Sequence, residues 1–553
     1  MYALDELTLR CLAETSFEKY GPHVAVSFVD EPPMTYSDLK RAVVATAHGL
    51  RKRGVKPGDR VAILGENSPQ WGTAYLAITC MGAVAVPILP DFHKSEVHHI
   101  IRNSGAKVLF VSSKLVHKAE EKRLGALKLL VSLDPIDRRD LPYKVESMVD
   151  LMKEGAKETV LPSAKIKEGD LAEILYTSGT TGHSKGVMLS HKNITYNALQ
   201  ALRAIAITPD DTLLSILPMS HSYECTCGFI APLCGGAKIY YIKGLPTAQT
   251  LLPALEEVRP TIVLSVPLIM EKIYKKKVLS EIGEKFLIKD LYKLRPMRKT
   301  LNKVVGRRLY KAFGGNLRFI CFGGAALSPD VEEFLREADF PYITGYGLTE
   351  SSPLLTVNPV GEVKFQSCGK AVESVELRIA DPDPQTGIGE ILARGPNVMQ
   401  GYYKNPEATR QTLLEGGWLV TGDRGYLDED GYLYIKGRSK NVIVGPSGEN
   451  IYPEQIEAKL AESPYVLESL VYERNGRLVA KVHLDYDLLD QEFGLHKMEE
   501  EQAARKIQEV LQTLKREVNE KVSTFSRIHD IIEQREPFEM TPTKKIKRYL
   551  YVS

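Results

Sequence analysis

Residues 171–205 read LAEILYTSGTTGHSKGVMLSHKNITYNALQALRAI, and the stretch divides into three parts. The first seven residues form a short apolar run typical of a buried strand, and apolar residues recur at helical spacing after Gly186. Between them, residues 178–186 hold glycines, hydroxyl side chains and a lysine. The pattern predicts a loop between a strand and a helix, where backbone N–H groups converge on an anion. A solvent-exposed turn is the alternative, because Gly, Ser and Thr are common turn residues.

The position of the lysine excludes the best-known phosphate loop. A Walker A motif, G-x-x-x-x-G-K-[ST], places its lysine directly after the last glycine. In this chain Lys185 stands three residues beyond Gly182 and is followed by Gly186. The loop is therefore not that of a P-loop NTPase.

Length and composition narrow the class of protein. The chain has 553 residues, which is enough for two or three hydrophobic cores. With 43% hydrophobic and 26% charged residues it has a globular composition, and its formal net charge of +2 gives no reason to expect a nucleic acid partner. The seven cysteines indicate a reducing compartment, with Cys225 and Cys227 as buried thiols rather than zinc ligands.

Neither the N-terminus nor the longest uncharged run predicts a membrane segment. MYALDELTLRCLAE lacks the apolar core of a signal peptide, and polar residues, glycines and prolines interrupt residues 67–90. That run favours a buried helix followed by a strand. We expect a cytoplasmic protein and leave peripheral membrane association open. Residues 271–311 hold fourteen Lys and Arg against four Asp and Glu, which suits an anionic lipid, an anionic substrate or a solvated helix face.

The order of the patterns predicts the domain organisation. From about residue 20, strand-like runs alternate with helical ones, which predicts βαβ units and mainly parallel sheets. After about residue 364 the pattern changes to short strands and tight turns. Near GRSK (437–440) it changes again, to a smaller segment of helices and strands. A charged, glycine-flanked turn favours a linker, so we predict domains of residues 1–437 and 438–553.

Candidate ligand-binding residues follow several of the predicted strands. His221 comes after LLSILPM, and residues 323–325 (Gly-Gly-Ala) would let a flat ring lie against the backbone. Tyr346 offers a stacking surface and Glu350 a carboxylate for Mg²⁺. Asp423 in VTGDRG suits the vicinal hydroxyls of a ribose.

These clusters, with GRSKNVIVGPSGENIYPEQIE (437–457) and TPTKKIKRY (541–549), resemble the adenylate-forming superfamily. Its members include acyl-CoA synthetases, firefly-luciferase-like enzymes and adenylation domains of peptide synthetases. The resemblance covers nearly the whole chain. LPALEEVRPTIVLSVPLIMEKIY (252–274) and SCGKAVESVELRI (367–379) look most like the long-chain fatty acyl-CoA ligase branch.

The resemblance implies a fold and a reaction. The fold is α/β, with a large N-terminal domain of mainly parallel, doubly wound sheets, a small barrel-like β subdomain, and a small mobile α+β C-terminal lid domain. In the reaction a carboxylate attacks the α-phosphorus of ATP, giving acyl-AMP and pyrophosphate, and a thiol then displaces AMP. Because the first step concentrates negative charge, it needs Mg²⁺, a lysine and fixed hydrogen-bond donors.

The resemblance also implies roles for individual residues. Those that would bind ATP or AMP are Thr177, Ser178, Gly179, Thr180, Thr181, Gly182, Lys185, Gly324, Ala325, Thr344, Gly345, Tyr346, Gly347, Thr349, Asp423 and Arg438. Thr180 and Glu350 would hold Mg²⁺, and Lys185 would neutralise phosphate charge. His221 would form a wall between the acyl site and the thiol path.

Two further roles fall in the C-terminal part of the chain. Lys545 matches the catalytic lysine of the family, which bridges the carboxylate and the α-phosphate; the usual glycine before it is Lys544 in this chain, and Ile546 favours position 545. Lys440 matches the hinge, and Gly445 and Gly448 would border the path of the thiol.

We therefore expect a fatty acyl-CoA synthetase that uses ATP, Mg²⁺ and CoA. One alternative keeps the adenylation step and loads a carrier protein. Another is a nucleotide-binding regulator that forms no adenylate, against which the failed Walker spacing and Lys545 both argue. The length of the acid and the oligomeric state stay open, and Tyr223 and Cys225 either line or gate the acid pocket or simply pack.

Overall fold

The computed structural model describes residues 4–136, 141–177, 184–244, 246–279, 292, 294–444, 449–541 and 545–552. Two mainly parallel sheets, one antiparallel sheet and a smaller C-terminal domain account for its described strands. The α/β architecture predicted from the alternation of strand-like and helical runs is confirmed.

The first sheet has nine strands, parallel in its centre and antiparallel at both edges. In sheet order these are β16 (Lys370–Ala371), β15 (Leu354–Val357), β14 (Tyr342–Gly347), β13 (Phe319–Phe322), β12 (Ile262–Ser265), β10 (Thr212–Ser215), β11 (Lys238–Tyr241), β1 (Val24–Phe28) and β2 (Met34–Thr35). Every residue of β12 and β13 is buried. Such continuous apolar runs fit strands that are covered on both faces.

The second sheet has eight strands and is parallel except at one edge, where it is antiparallel. In sheet order these are β19 (Gly401–Tyr402), β9 (Lys185–Ser190), β8 (Leu171–Thr177), β4 (Val84–Ile88), β3 (Arg60–Leu64), β5 (Val108–Val111), β6 (Leu129–Ser132) and β7 (Lys144–Ser147). The antiparallel pairs are β8 with β9 and β9 with β19.

The described helices cover the sheets and fill the space between them. They are Leu9–Tyr20, Tyr36–Lys52, Pro69–Cys80, Lys94–Ser104, Met148–Lys153, His191–Ile205, Ala231–Gly235, Ala248–Val258, Pro267–Ile273, Arg295–Ala312, Pro329–Glu337, Pro406–Thr412, Pro453–Ala461, Tyr486–Phe493 and Glu500–Lys521.

The helix Pro69–Cys80, predicted from the uncharged run, lies between the two sheets. Ser68 caps its N-terminus by accepting a hydrogen bond from the N–H of Trp71, with a proline in the first turn. On one side the Tyr75 hydroxyl donates to Glu173 of β8 at 3.2 Å. On the other, a Cβ added at Gly72 would lie 2.8 Å from the Phe229 ring. Every residue of the helix except Gln70 is buried, which explains why the helix carries no charged side chain.

One sequence-based expectation about the glycine-rich loop is wrong. The loop was expected to join a strand to a helix, but Lys185–Ser190 forms β9, which runs antiparallel to β8 with Thr177 opposite Lys185. The helix begins only at His191, because Ser190 and Asn193 form a capping box there. The loop therefore connects two antiparallel strands and does not lead directly into the helix.

The third sheet is antiparallel and corresponds to the predicted small β subdomain. It consists of β17 (Glu376–Ala380), β18 (Gly389–Arg394), β20 (Leu413–Leu414), β21 (Trp418–Leu427) and β22 (Leu433–Arg438). Because β21 is ten residues long, it pairs with β18, β20 and β22 along its length.

The C-terminal domain has its own hydrophobic core. A pair, β23 (Ile443–Val444) and β24 (Asn450–Ile451), precedes a three-stranded sheet of β25 (Val466–Arg474), β26 (Arg477–Leu484) and β27 (Asp530–Glu533). Residues between Ile451 and Ile531 form a buried cluster separate from the larger cores. The boundary between residues 437 and 438, at the end of β22, stays a prediction.

Two predictions from composition can be compared with the described residues. In that part of the chain, none of the helices is both long and apolar enough to cross a membrane. None of the seven cysteines, which all lie in the described residues, forms a disulfide, and Cys225 and Cys227 are buried thiols. In the basic stretch, the helix Arg295–Ala312 buries Asn302, Gly306 and Leu309 and leaves its other described residues at least partly exposed.

Candidate active site

The backbone after β13 and along β14 forms the floor of the candidate site. Gly323 is buried, whereas Gly324 and Ala325 are exposed just beyond the end of β13. Gly324 has a φ of +82°, which favours glycine. A Cβ added at Gly347 would lie 1.8 Å from the carbonyl oxygen of Pro353, so this position also requires glycine. The predicted flat, open backbone is therefore present at the carboxyl end of the first sheet.

Tyr346, Asp423 and Arg438 form a connected group beside this floor. The Tyr346 hydroxyl donates to Asp423 Oδ2 at 2.7 Å, and Arg438 Nε lies 2.9 Å from Asp423 Oδ1. Asp423 and Arg438 are opposite each other in the pairing of β21 with β22. Asp423 is only 5% exposed, and its burial raises its pKa against the opposing effects of Arg438, Tyr346 and Lys545. A carboxylate in this position keeps lone pairs for a further donor, such as a sugar hydroxyl.

The Thr344 hydroxyl is hydrogen-bonded to two residues that the sequence did not indicate as its partners. Its hydroxyl donates to the carbonyl oxygen of Ser367 at 2.8 Å and accepts from Asn358 Nδ2 at 2.6 Å. Asn358 also donates to the Ser367 carbonyl oxygen at 3.1 Å. The network fixes the end of β14, from which Gly345 and Tyr346 continue. Asn358 lies in none of the motifs, and the 367–379 segment that begins at Ser367 gave no sign of a contact with Thr344.

Glu350 and Lys185 are joined through Tyr402, which sequence reasoning missed. The Tyr402 hydroxyl donates to Glu350 Oε1 at 2.8 Å, and Lys185 Nζ lies 5.2 Å from the centre of the Tyr402 ring. Tyr402 reaches this position because β19 pairs with β9, placing it opposite Val187. The only available signal was the pair of tyrosines in MQGYY, 399–403.

Glu350 is chemically suited to a magnesium ion. One carboxylate oxygen accepts from Tyr402, and the half-buried side chain can offer its other oxygen, the ligand type that Mg²⁺ prefers. Thr349, which precedes it, opens a single helical turn that ends at Ser351. The second predicted ligand, Thr180, lies outside the described residues.

His221 and Lys545 come together although 324 positions separate them in the sequence. The backbone N–H of Tyr223 donates to His221 Nδ1 at 3.2 Å. Burial and, second, the positive charge of Lys545 lower the pKa of His221 to about 4, so the ring is neutral at pH 7. A neutral imidazole that accepts at Nδ1 carries its proton on Nε2.

Lys545 faces groups from three other parts of the chain. Desolvation and then Arg438 lower its pKa, whereas the carboxylates of Asp423 and Glu350 act in the opposite direction. Two hydrogen bonds tie Lys545 to Thr541: the N–H of Thr541 donates to the Lys545 carbonyl oxygen at 2.7 Å, and the N–H of Lys545 donates to Thr541 Oγ1 at 3.1 Å. The Lys545 side chain is therefore within electrostatic range of two carboxylates and of a neutral histidine.

Lys440 lies in the short turn Ser439–Asn441, and each neighbour is bonded to a different domain. The Ser439 hydroxyl donates to Glu390 of β18, and Asn441 Nδ2 donates to Glu454 Oε1 of the C-terminal domain at 2.6 Å. The Lys440 side chain is exposed.

Several predicted residues lie outside the described residues: Ser178, Gly179, Thr180, Thr181, Gly182, Gly445, Gly448 and Lys544. Their roles stay predictions. The described flanks of the glycine-rich loop, Thr177 and Lys185, face each other at the open end of the β8–β9 hairpin.

Comparison with known proteins identifies relatives along the chain. A family model described as AMP-binding enzyme matches residues 13–403. A long-chain-fatty-acid–[acyl-carrier-protein] ligase of Arabidopsis thaliana is 27% identical, covering 98% of this chain and 84% of that protein. A long-chain-fatty-acid–CoA ligase of Mycobacterium bovis is 30% identical, covering 79% of this chain and 75% of that protein.

Solved structures share the fold. An anthranilate CoA ligase in complex with anthranoyl-AMP superimposes with a TM-score of 0.82 at 23% identity, covering 98% of this chain and 96% of that one. The o-succinylbenzoate CoA synthetase of Bacillus subtilis in complex with ATP and a magnesium ion gives 0.75 at 23% identity, covering 97% and 98%. At this identity the likeness concerns the fold, a large N-terminal domain followed by a small C-terminal one.

Proposed function

The chain belongs to the AMP-binding enzyme family, and we propose that it is a long-chain fatty acyl-CoA synthetase that works through an acyl-adenylate. Membership of this family of adenylate-forming ligases supports an ATP-dependent joining of an acid to a thiol. The fatty acid and CoA are the finer part of the proposal. They rest on the residues that the chain shares with the long-chain branch and on the names of its relatives.

The position of Lys545 is the observation that carries the proposal. Its ammonium group is near enough to Asp423, Glu350 and His221 for their charges to act on one another. In adenylation a carboxylate and the α-phosphate, both anionic, must approach each other. A lysine at their meeting point offsets that repulsion, and a neutral His221 adds no charge of its own.

The groups around the floor suit the rest of the nucleotide. Adenine would lie between the Gly324–Ala325 backbone and Tyr346, and the ribose hydroxyls would bind Asp423, with Arg438 assisting. Glu350 and Thr180 would hold Mg²⁺, which supplies charge stabilisation to the phosphates when bound. Lys185 and the hydroxyls of the hairpin loop would hold the pyrophosphate that leaves.

A carrier protein is the second candidate for the acyl acceptor. The Arabidopsis relative is named for a carrier protein and the Mycobacterium relative for CoA, at similar identity. We favour CoA because the residues typical of the long-chain CoA ligase branch recur in segments 252–274 and 367–379. A cytoplasmic location, with or without peripheral membrane association, stays a prediction.

The first test is acid-dependent exchange of labelled pyrophosphate into ATP over a series of saturated fatty acids and aromatic acids. We expect exchange with long-chain fatty acids and, on addition of CoA, formation of the thioester. Exchange with no acid would argue against adenylation. Exchange with acyl transfer to a carrier protein and none to CoA would establish the second candidate.

The second test removes the charge of Lys545. Lys545→Ala should lower pyrophosphate exchange by at least about a hundredfold, because the two anions then meet without a counter-charge. Thioester formation from supplied acyl-AMP and CoA should remain, since adenylation is bypassed. Lys547→Ala is the control. Lys547 stands two residues after Lys545 and pairs with Glu539. Equal loss of both half-reactions in Lys545→Ala would mean a structural role.

A further inference from the structure

A lysine of the large domain holds the backbone of the small domain at a contact formed by residues outside the catalytic group. Lys275 lies in Tyr274–Leu279, a wide π-helical turn that continues the helix Pro267–Ile273. Its Nζ donates to the carbonyl oxygen of Val466 at 3.0 Å and lies 3.5 Å from that of Ser463. Ser463 lies in the turn after the helix Pro453–Ala461, and Val466 is the first residue of β25, which follows that turn.

Charged groups from both domains surround this contact. Glu271 and Asp330 of the large domain and Asp485 of the small domain all attract the Lys275 ammonium group. Burial acts in the opposite direction and lowers the pKa of Lys275. Carboxylates from both domains thus stabilise the charge of this half-buried lysine.

A second set of charges lies next to the first. Asp330, in the first turn of the helix Pro329–Glu337, faces Lys459, Glu462 and Lys521 of the small domain. Glu462 holds both of these lysines, with oxygen to nitrogen distances of 2.5 Å to Lys459 and 2.7 Å to Lys521. Glu462 therefore keeps Lys459 and Lys521 close to Asp330, the carboxylate of the large domain.

These contacts depend on how the domains are oriented. A backbone carbonyl cannot turn towards a departing partner as a side chain can, so Lys275 keeps its two acceptors only while the turn at 463–466 stays where it is. In this same orientation Lys545 faces Asp423, Glu350 and His221. A contact present in one orientation and absent from another shifts the population towards the first.

We propose that Lys275 is a positioning residue, an interdomain latch whose bond to the 463–466 turn holds the small domain in the orientation that presents Lys545 for adenylation. The inference rests on the proposed function, since it concerns the balance between the two half-reactions. The latch would act on the orientation of the domain and would not touch the acid or ATP.

The test measures the two half-reactions in Lys275→Met. We expect pyrophosphate exchange at saturating ATP and acid to fall about tenfold, the loss that corresponds to about 1.4 kcal/mol. Thioester formation from supplied acyl-AMP and CoA should be unchanged or faster, because the competing orientation is no longer disfavoured. The KM for ATP should stay within about twofold of the wild-type value, since the nucleotide contacts are intact.

Two variants control the result. Lys275→Arg keeps the positive charge and the donors and should recover most of the exchange activity. Lys272→Met removes an exposed lysine from the preceding turn of the same helix and should behave as the wild type. If Lys275→Met proves unfolded by circular dichroism, Lys275→Gln replaces it.

The outcomes separate this inference from the proposed function. A wild-type balance of the half-reactions in Lys275→Met, or an equal loss of both, would overturn the latch while leaving adenylation established. Loss of exchange with rescue by arginine would support it. Absence of exchange in the wild-type protein with every acid would instead contradict the proposed function itself.

Discussion

At the scale of single residues, we propose Asp423 as the group on which nucleotide recognition most depends. It accepts from Tyr346 and pairs with Arg438, and it is nearly inaccessible to solvent. Its partners hold both carboxylate oxygens in place before any ligand arrives. Such preorganisation reduces the cost of ordering groups on binding.

We predict that Asp423→Asn raises the KM for ATP about ten- to a hundredfold. The change keeps the shape of the side chain but removes the charge, and a hydrogen bond to a charged group contributes about 1.5–3 kcal/mol. Initial rates at varied ATP measure the effect. Asp430→Asn, in the turn between β21 and β22, removes a carboxylate that pairs with Lys364 and should leave the KM for ATP unchanged. An unaltered KM in Asp423→Asn would contradict the assignment of Asp423 to the ribose.

The sequence predicted the candidate residues better than it predicted their partners. Asp423, Tyr346 and Glu350 could be identified because their side chains stand in short, specific patterns. Tyr402, which joins Glu350 to Lys185, could not, because it is placed there by the pairing of strands more than 200 positions apart. Thr344 shows the same limit: it was predicted among the nucleotide-binding residues, but nothing indicated that its hydroxyl bonds to Ser367 and Asn358.

At the scale of elements, the β8–β9 hairpin shows where periodicity misleads. Val187 and Leu189 face inward, as alternation in a strand requires, but they also fit the apolar spacing of the helix that follows. The capping box of Ser190 and Asn193 decides where that helix begins. The capping residues are visible in the sequence. The expectation for the loop was wrong because the helical spacing of apolar residues extends to positions before Ser190, which belong to β9.

Glu173 of β8 and Glu224 form a second feature of the elements between the sheets. Both are buried; Glu173 accepts from Tyr75, and Glu224 accepts from the Ser215 hydroxyl at 2.6 Å. Burial raises the pKa of each from 4.5 to about 8. Between about pH 4.5 and pH 8, each carboxyl group therefore keeps its proton in the folded protein, whereas the same group in the unfolded chain is ionised.

We predict that the contribution of these two carboxyl groups to the free energy of unfolding falls as the pH rises from 4.5 to 8. Each group binds its proton in the folded protein but not in the unfolded chain across that window, so its stabilisation is complete below pH 4.5 and lost above pH 8, while the lowered pKa of His221 acts in the opposite direction below about pH 6.5. Glu224→Gln should make the decline shallower, by at most about 1.4 kcal/mol per pH unit. Urea unfolding at several pH values measures the slope. Glu407→Gln, at an exposed helix position, should leave the slope as it is, and an unchanged slope in Glu224→Gln would mean that this carboxyl is already ionised.

At the scale of the whole molecule, the parallel sheets could be predicted from the sequence, but the orientation of the C-terminal domain could not. The alternation of strand and helix patterns predicted parallel sheets and a separate C-terminal segment. The contacts between that segment and the large domain include the bond from Lys275 to the Val466 carbonyl oxygen. The acceptor of that bond is a backbone carbonyl, which every residue type has. No sequence motif could therefore have indicated this contact.

We predict that Lys440→Pro slows thioester formation from supplied acyl-AMP and CoA at least about tenfold while reducing pyrophosphate exchange much less. Proline fixes φ near −65° and would restrict rotation at the residue between the two domains. Rapid-quench measurement of each half-reaction provides the comparison. Lys440→Ala keeps the backbone freedom and should resemble the wild type. An equal loss of both half-reactions in Lys440→Pro would exclude a hinge at this position.

The hydrogen bonds on either side of Lys440 have a mechanical consequence. Ser439 is bonded to Glu390 and Asn441 to Glu454, so the flexible part of the connection is about one residue long. A rotation there acts as a lever, in which displacement grows with distance from the pivot. In the proposed rotation, Asp423 and Arg438 would stay on one side of the pivot and Lys545 would move with the other. The rotation would withdraw the charge of Lys545 and leave the paired side chains of Asp423 and Arg438 where they are.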